Sequence, residues 1–248
     1  MGMPIVVELA DKKCTPKDID EVFDYFSYID KTFSTYKKNS EISKINSGKL
    51  QEKDYSSDVK TVLLLCEKTK KETNGYFDIH KNGKIDPSGV VKGWAINNAA
   101  KILRKRGFKN FYINAGGDIQ VSGTNAEGIV WTVGIQNPFN LMEIIKVLQV
   151  KNVGVATSGT YARGQHVYNP FKSDQNLNEI VSLTVIAKNI YEADRFATAA
   201  FAMQKEGIKF IAKIKGLEGY MIDRNGIATY TSGFNKFTQP VILKEVAL

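Results

Sequence analysis

The chain has 248 residues, 43% of them hydrophobic and 24% charged, enough to bury a sizeable core and enough to exclude disorder as its main state. Its 34 Lys and Arg against 26 Asp and Glu leave a charge of +8, which favours anionic partners without choosing among phosphates, nucleotides, nucleic acid and acidic membrane. Two cysteines, Cys14 and Cys66, and two histidines, His80 and His166, exclude a disulfide scaffold and a Cys-rich zinc site, and no apolar run approaches the roughly 18 residues of a membrane span.

Residues 4–9 read as a strand. Thr15 then caps a helix opened by Pro16 and supported by Asp18 in its first turn, with Ile19, Val22, Phe23, Phe26, Ile29 and Phe33 on the inner face. A second helix is expected over 57–73, burying Val59, Val62, Leu63 and Cys66 and stopping at Asn74-Gly75. A third is expected over 90–106, with Val91, Trp94, Ala95, Ala99, Ile102 and Leu103 inward and Gly107 as its stop. Runs 111–114, 119–122, 130–136, 144–150 and 180–187 read as strands of a sizeable sheet. Helices return over 191–203 and 207–214, and a hairpin pairs 220–223 with 227–231 across Asn225-Gly226, a dipeptide suited to a type I′ turn. This order predicts an α+β fold, a mostly antiparallel or mixed sheet packed with helices, as a single domain over 1–248 or two closely packed lobes.

Four polar clusters carry glycine where a backbone could approach a ligand: 75–78, 86–93, 114–118 and 156–161. The second opens the third helix, where free N–H groups and the dipole attract an anion and Lys92 adds positive charge. A capped turn with a solvated lysine fits the same residues. Gly116-Gly117 reads as a hairpin turn. Asp194 and Thr198 stand four apart on one helix face, offering two hard oxygens of the kind Mg²⁺ accepts; dipole pairing by Asp194 and a back-bond from Thr198 would equally account for them. His166, in a short strand ending at Pro170, could take a proton near neutral pH or be a plain surface or core histidine. His80 sits in an exposed turn. There is no P-loop, dinucleotide fingerprint or serine-hydrolase elbow.

Taken together and in order, these stretches resemble the bacterial FAD:protein FMN transferases, the ApbE-like flavin transferases. The match runs through 1–5, 33–36 with 40–46, 75–78, 86–93, 114–118, 156–161, 166–170 and 192–198. The resemblance implies an ApbE-like, T-fold-related architecture. It also implies a Mg²⁺-dependent enzyme that splits the FAD pyrophosphate and attaches FMN through a phosphoester to a Thr or Ser hydroxyl of a partner protein, releasing AMP, with FAD as substrate. By the same resemblance Asp194, Thr198 and a backbone oxygen of Gly89 hold the metal. Asp86 and Lys92 line the FAD site, Tyr36, Tyr76, Phe77 and Asp78 hold the flavin or adenine, Met1 touches FAD, and His166 deprotonates the acceptor hydroxyl.

The chain departs from the family's usual pattern in Asn169-Pro170-Phe171-Lys172 and in the short stretch between Asp78 and Asp86. The competing readings are a Mg²⁺-dependent FAD pyrophosphatase and a non-catalytic FAD-binding protein. Basic residues are scattered, so nucleic acid is not an expected partner. No leader opens the chain and no membrane span is expected, which gives a cytoplasmic reading, or an extracytoplasmic one if a leader has been removed.

Overall fold

The computed structural model describes residues 2–160, 167–172 and 177–238. Strand β1 (Ile5–Leu9) leads to helix α1 (Pro16–Phe33), and a short helix α2 (Glu41–Asn46) precedes α3 (Ser57–Glu72). A small hairpin, β2 (His80–Lys81) with β3 (Lys84–Ile85), then feeds α4 (Ser88–Lys105). The strands β4 (Phe111–Ala115), β5 (Asp118–Ser122), β6 (Trp131–Asn137), β7 (Asn140–Val150), β8 (Gly154–Gly159) and β9 (Ile180–Ala187) follow. The described chain closes with α5 (Ile190–Ala202), α6 (Glu206–Lys213), β10 (Glu218–Asp223) and β11 (Ala228–Tyr230).

Seven strands form one sheet in the order β1-β4-β5-β8-β9-β10-β11, every neighbouring pair antiparallel. One face carries the helices, over a core including Phe26, Ile29, Trp94, Phe111, Ile113 and Phe201. The other carries a second core around Ile119, Val121, Trp131, Val133, Leu148 and Phe234. With both faces covered, β5 is buried at every position. Among the described residues no helix is long and apolar enough to cross a membrane.

Local chemistry sets the helix ends. The Asp18 carboxylate accepts the Thr15 N–H at 2.8 Å and the Thr15 hydroxyl at 2.6 Å, tying the first turn of α1 to its cap. Asn74 (φ 52°) and Gly75 (φ 83°) turn the chain away after α3. Cys66 is buried in the core, as read from spacing.

Several expectations need correction. Phe23 is 39% exposed, because its position on α1 rotates away from the stripe of Val22, Phe26 and Ile29. The runs at 130–136 and 144–150 do not join the main sheet: β6 and β7 pair only with each other as a hairpin laid across it. Amphipathic alternation reports a covered face but not which sheet a strand joins. The turn at 223–226 is not type I′. Gly226 donates to the Asp223 carbonyl at 3.0 Å with φ 78°, while Asn225 is not among the residues at positive φ, and the Asp223 carboxylate takes the N–H groups of Asn225 and Ile227. Residues 167–169 form no strand. Helix α2 and strand β8 are additions to the expected elements.

Candidate functional site

Helices α4 and α5 meet at Gly93 and Asp194. A Cβ on Gly93 would stand 2.7 Å from Asp194 Cβ and 2.9 Å from both Asp194 Oδ2 and the Ile190 carbonyl, so glycine permits the close crossing. The Gly93 N–H donates to Asp194 Oδ2 at 2.7 Å, a bond that competes with the helical one to the Gly89 carbonyl four residues earlier. Gly→Ala within a helix ordinarily stabilises by about 1 kcal/mol. Here the crowding reverses the sign: Gly93→Ala is expected to destabilise by about 1–3 kcal/mol in a urea melt. A variant as stable as the parent would mean that the crossing can open at no cost.

Asp194 is 3% exposed. The Lys92 Nζ lies 2.6 Å from Asp118 Oδ2 and 3.7 Å from Asp194 Oδ1, one ammonium serving two buried carboxylates. Asp118 Oδ1 accepts the Thr157 N–H at 3.3 Å, and the Thr157 and Thr184 hydroxyls share a hydrogen bond of 2.8 Å. Burial drives the Asp194 carboxyl well above the ordinary carboxylate range; Lys92 opposes the rise and Asp118 adds to it. Lys92 is thus held between charges rather than solvated. Asp86, meanwhile, is exposed and takes the Ser88 N–H at 3.0 Å at the start of α4.

Sequence reasoning assigned no role to Asp118 or Gln120. The Gln120 Oε1 accepts the Ile190 N–H, the first amide of α5, at 2.9 Å, so β5 presents one side chain to each helix of the crossing. The available signal was the alternation of Asp118, Gln120 and Ser122 with Ile119 and Val121, which puts the three polar residues of the strand on one face.

Thr198 lies one turn beyond Asp194. Thr32, Thr61, Thr69 and Thr73 each bond back to the carbonyl four residues earlier at 2.7–2.9 Å, and Thr198 makes no such bond. Its hydroxyl stands 3.7 Å from where a Gly89 Cβ would be, and Phe77 Cε2 presses on the same point at 3.0 Å. The first turn of α5 is served by Glu192 and the Asn189 cap, which leaves Asp194 for the crossing. Among the described residues no three His, Cys, Asp or Glu side chains could hold a metal. A cation here would draw on the Asp194 carboxylate, the Thr198 hydroxyl and the Gly89 carbonyl. These all-oxygen donors fit Mg²⁺, which usually takes one or two protein carboxylates and completes its shell with water and phosphate.

A cleft of about 430 Å³ opens beside this crossing, lined by Lys92, Gly116, Gly117, Gly134, Ile144 and Thr157 among others. Gly116 (φ 61°) and Gly117 (φ 95°) make the β4–β5 hairpin turn expected of them. Three of the four glycine clusters therefore converge on one cleft, and Lys92 is the residue shared by cleft and crossing.

The aromatic candidates are spread more widely. Tyr36 is 95% exposed and is not among the residues lining the cleft. Phe77 is buried under Gly89. Tyr76 meets Phe171 edge to face at 5.0 Å, and the Tyr168 hydroxyl donates to the Asp78 and His80 carbonyls at 2.8 and 3.1 Å. The departure at 169–172 thus seats an aromatic on the 75–78 cluster. Met1 and His166 lie outside the described residues.

Burial works against the charged form of Asp78, yet the Lys70 ammonium at 2.7 Å and the His80 N–H at 2.9 Å outweigh it and hold the carboxyl at about 2. A depressed carboxyl stabilises the fold above its unfolded value of about 4 and loses that contribution as pH falls towards the folded one. Asp78→Asn is therefore expected to flatten the fall in melting temperature between about pH 4 and pH 2. An unchanged slope would remove Asp78 from the acid transition.

The chain is 30% identical over 151 residues to a protein of Escherichia coli K12 named FAD:protein FMN transferase, covering 57% of this chain and 43% of that one. The chain thus spans less than half the length of that relative. A Chlamydia muridarum protein of the same name is 26% identical over 282 aligned positions, covering 88% of this chain and 85% of its own. Two solved structures share the fold: the flavin transferase ApbE of Vibrio cholerae, with TM-score 0.79 and 21% identity, and the ApbE protein of Thermotoga maritima, with TM-score 0.82 and 22% identity. Each covers 96% of both chains. The model of the ApbE family matches residues 1–83 and 80–221, well over half the length, and the chain belongs to that family.

Proposed function

We propose that the protein transfers FMN from FAD to a Thr or Ser hydroxyl of an acceptor protein and releases AMP. The observation that carries this reading is the position of Lys92, which lines the cleft and pairs with the carboxylates of the α4–α5 crossing. A pyrophosphate in that cleft would meet a fixed cation in its lining and the backbone of the Gly116-Gly117 turn. Its negative charge repels a nucleophile, and an ammonium preorganised by Asp118 lowers that barrier without reorganising.

In the transfer, the acceptor oxygen bonds to the phosphorus on the riboflavin side, the bond from that phosphorus to the bridging oxygen breaks, and AMP leaves with that oxygen. The hydroxyl proton must go to a base; by resemblance His166 takes it. Asp194, Thr198 and the Gly89 carbonyl are the residues proposed to hold Mg²⁺, which when bound would neutralise phosphoryl charge on substrate and leaving group.

The test is to incubate the protein with FAD, Mg²⁺ and a candidate acceptor, denature, and look for flavin fluorescence on the acceptor band. Fluorescence there, with AMP released in equal amount, is the expected result. Free FMN and AMP with an unlabelled acceptor would replace transfer by pyrophosphate hydrolysis. Bound FAD with no AMP would make the chain a flavin-binding module.

A further inference from the structure

Arg195 is a guanidinium that the proposed chemistry does not use. It is 3% exposed, pairs through Nη1 with Glu72 and through Nη2 with Glu192, donates from Nε to Glu192 at 3.0 Å, and lies 3.9 Å over the Phe196 ring. A buried guanidinium held by carboxylates that keep access to solvent returns little net stability against its desolvation cost. Its value lies in fixing one geometry, and the connections show which. Glu72 ends α3, and the Thr73 hydroxyl just beyond accepts the Phe77 N–H at 3.1 Å. Phe77 presses on Gly89, which faces Thr198 on the same helix as Arg195. The circuit closes.

We propose that Arg195 is a positioning residue for the cation site: by tying α5 to the end of α3 it sets how closely Asp194 and Thr198 approach the start of α4. The guanidinium suits this because its planar fork sets Nε and Nη2 on Glu192 and Nη1 on Glu72 in one fixed plane, an orientation that the point charge of a lysine does not impose. The metal half of the proposal rests on the reading of Asp194, Thr198 and Gly89 as ligands; the positioning half does not.

Two measurements separate them. The first is amide exchange of the metal-free protein. Arg195→Met is expected to speed exchange at the Gly93 N–H, the group bonded to Asp194, while α1 amides keep their protection; unchanged exchange at Gly93 overturns the proposal. The second is Mn²⁺ affinity by electron paramagnetic resonance. Loss of an outer partner of a metal site costs about tenfold or more, so Arg195→Met should weaken Mn²⁺ binding about tenfold, with Arg195→Lys recovering part of it. Equal affinity in all three proteins overturns the proposed action on the metal. Parent protein that takes up no Mn²⁺ refutes the ligand reading, and exchange at Gly93 then decides the positioning role alone. Should Arg195→Met fail to fold, Glu72→Gln, on the accessible end of α3, replaces it in both measurements with the same criteria.

Discussion

Asp194→Ala is expected to lower turnover by about 10³-fold and to abolish its dependence on Mg²⁺, while leaving the fold as stable as before or more so. The two halves have the same cause. Asp194 is buried, its carboxyl is pushed well above the ordinary range, and it competes with Asp118 for Lys92. A group in that position costs free energy in the metal-free fold. On removal, Lys92 keeps Asp118 at 2.6 Å, and the Gly93 N–H can return to the Gly89 carbonyl. No buried charge is orphaned. Function loses its carboxylate donor and stability loses only a strained one, the pattern of a residue retained for activity. Steady-state rates across Mg²⁺ concentrations, beside thermal melts of the metal-free proteins, check both. Turnover near the parent value would discard Asp194 as a ligand; a large fall in melting temperature would mean that its contacts with Gly93 hold the crossing together.

How much of this was legible beforehand follows from the range of each signal. Helix ends were, because Thr15 with Asp18 and Asn74 with Gly75 act within a single turn. The Asp194–Thr198 face was, because helical spacing alone brings them together. Strand β8 was not: Gly154, Ala156, Ser158 and Gly159 have little strand propensity, and only pairing with β5 and β9 makes them a strand. Asp118 and Gln120 were not assigned roles because their partners lie on other elements: Lys92 precedes one in the chain and Ile190 follows the other by 70 positions. Tyr36 shows the converse. A motif singles it out by resemblance, and it stands 95% exposed, so neither packing nor a hydrogen-bond network marks it as a site residue. Local rules therefore described the parts of the crossing, and tertiary pairing supplied the charge that links it to the cleft.

Lys92→Met should be the most destabilising single change at this site, by about 3–5 kcal/mol near pH 9, because it strands two buried carboxylates without a cation. The pH dependence gives the cause away. Without Lys92 the larger of the two influences that lower Asp194 disappears, leaving the Gly93 N–H alone against burial and Asp118. A carboxyl whose folded value lies above its unfolded one holds its proton longer in the folded state, so stability falls as pH climbs past the unfolded value of about 4. Parent and variant share that fall until pH passes the parent's own folded value of about 8, so the variant should stand closest to the parent near pH 5 and drop further below it towards pH 9. Methionine retains most of the side-chain volume, which separates lost charge from a cavity. Urea melts at the two pH values provide the measurement, and Lys92→Met with Asp194→Asn provides the control. If the cost is an unpaired charge, the second substitution recovers much of it, since neighbours in one network are not additive. Equal destabilisation at both pH values, with no recovery in the double variant, would assign Lys92 a packing role and remove the argument for a preorganised cation at the cleft.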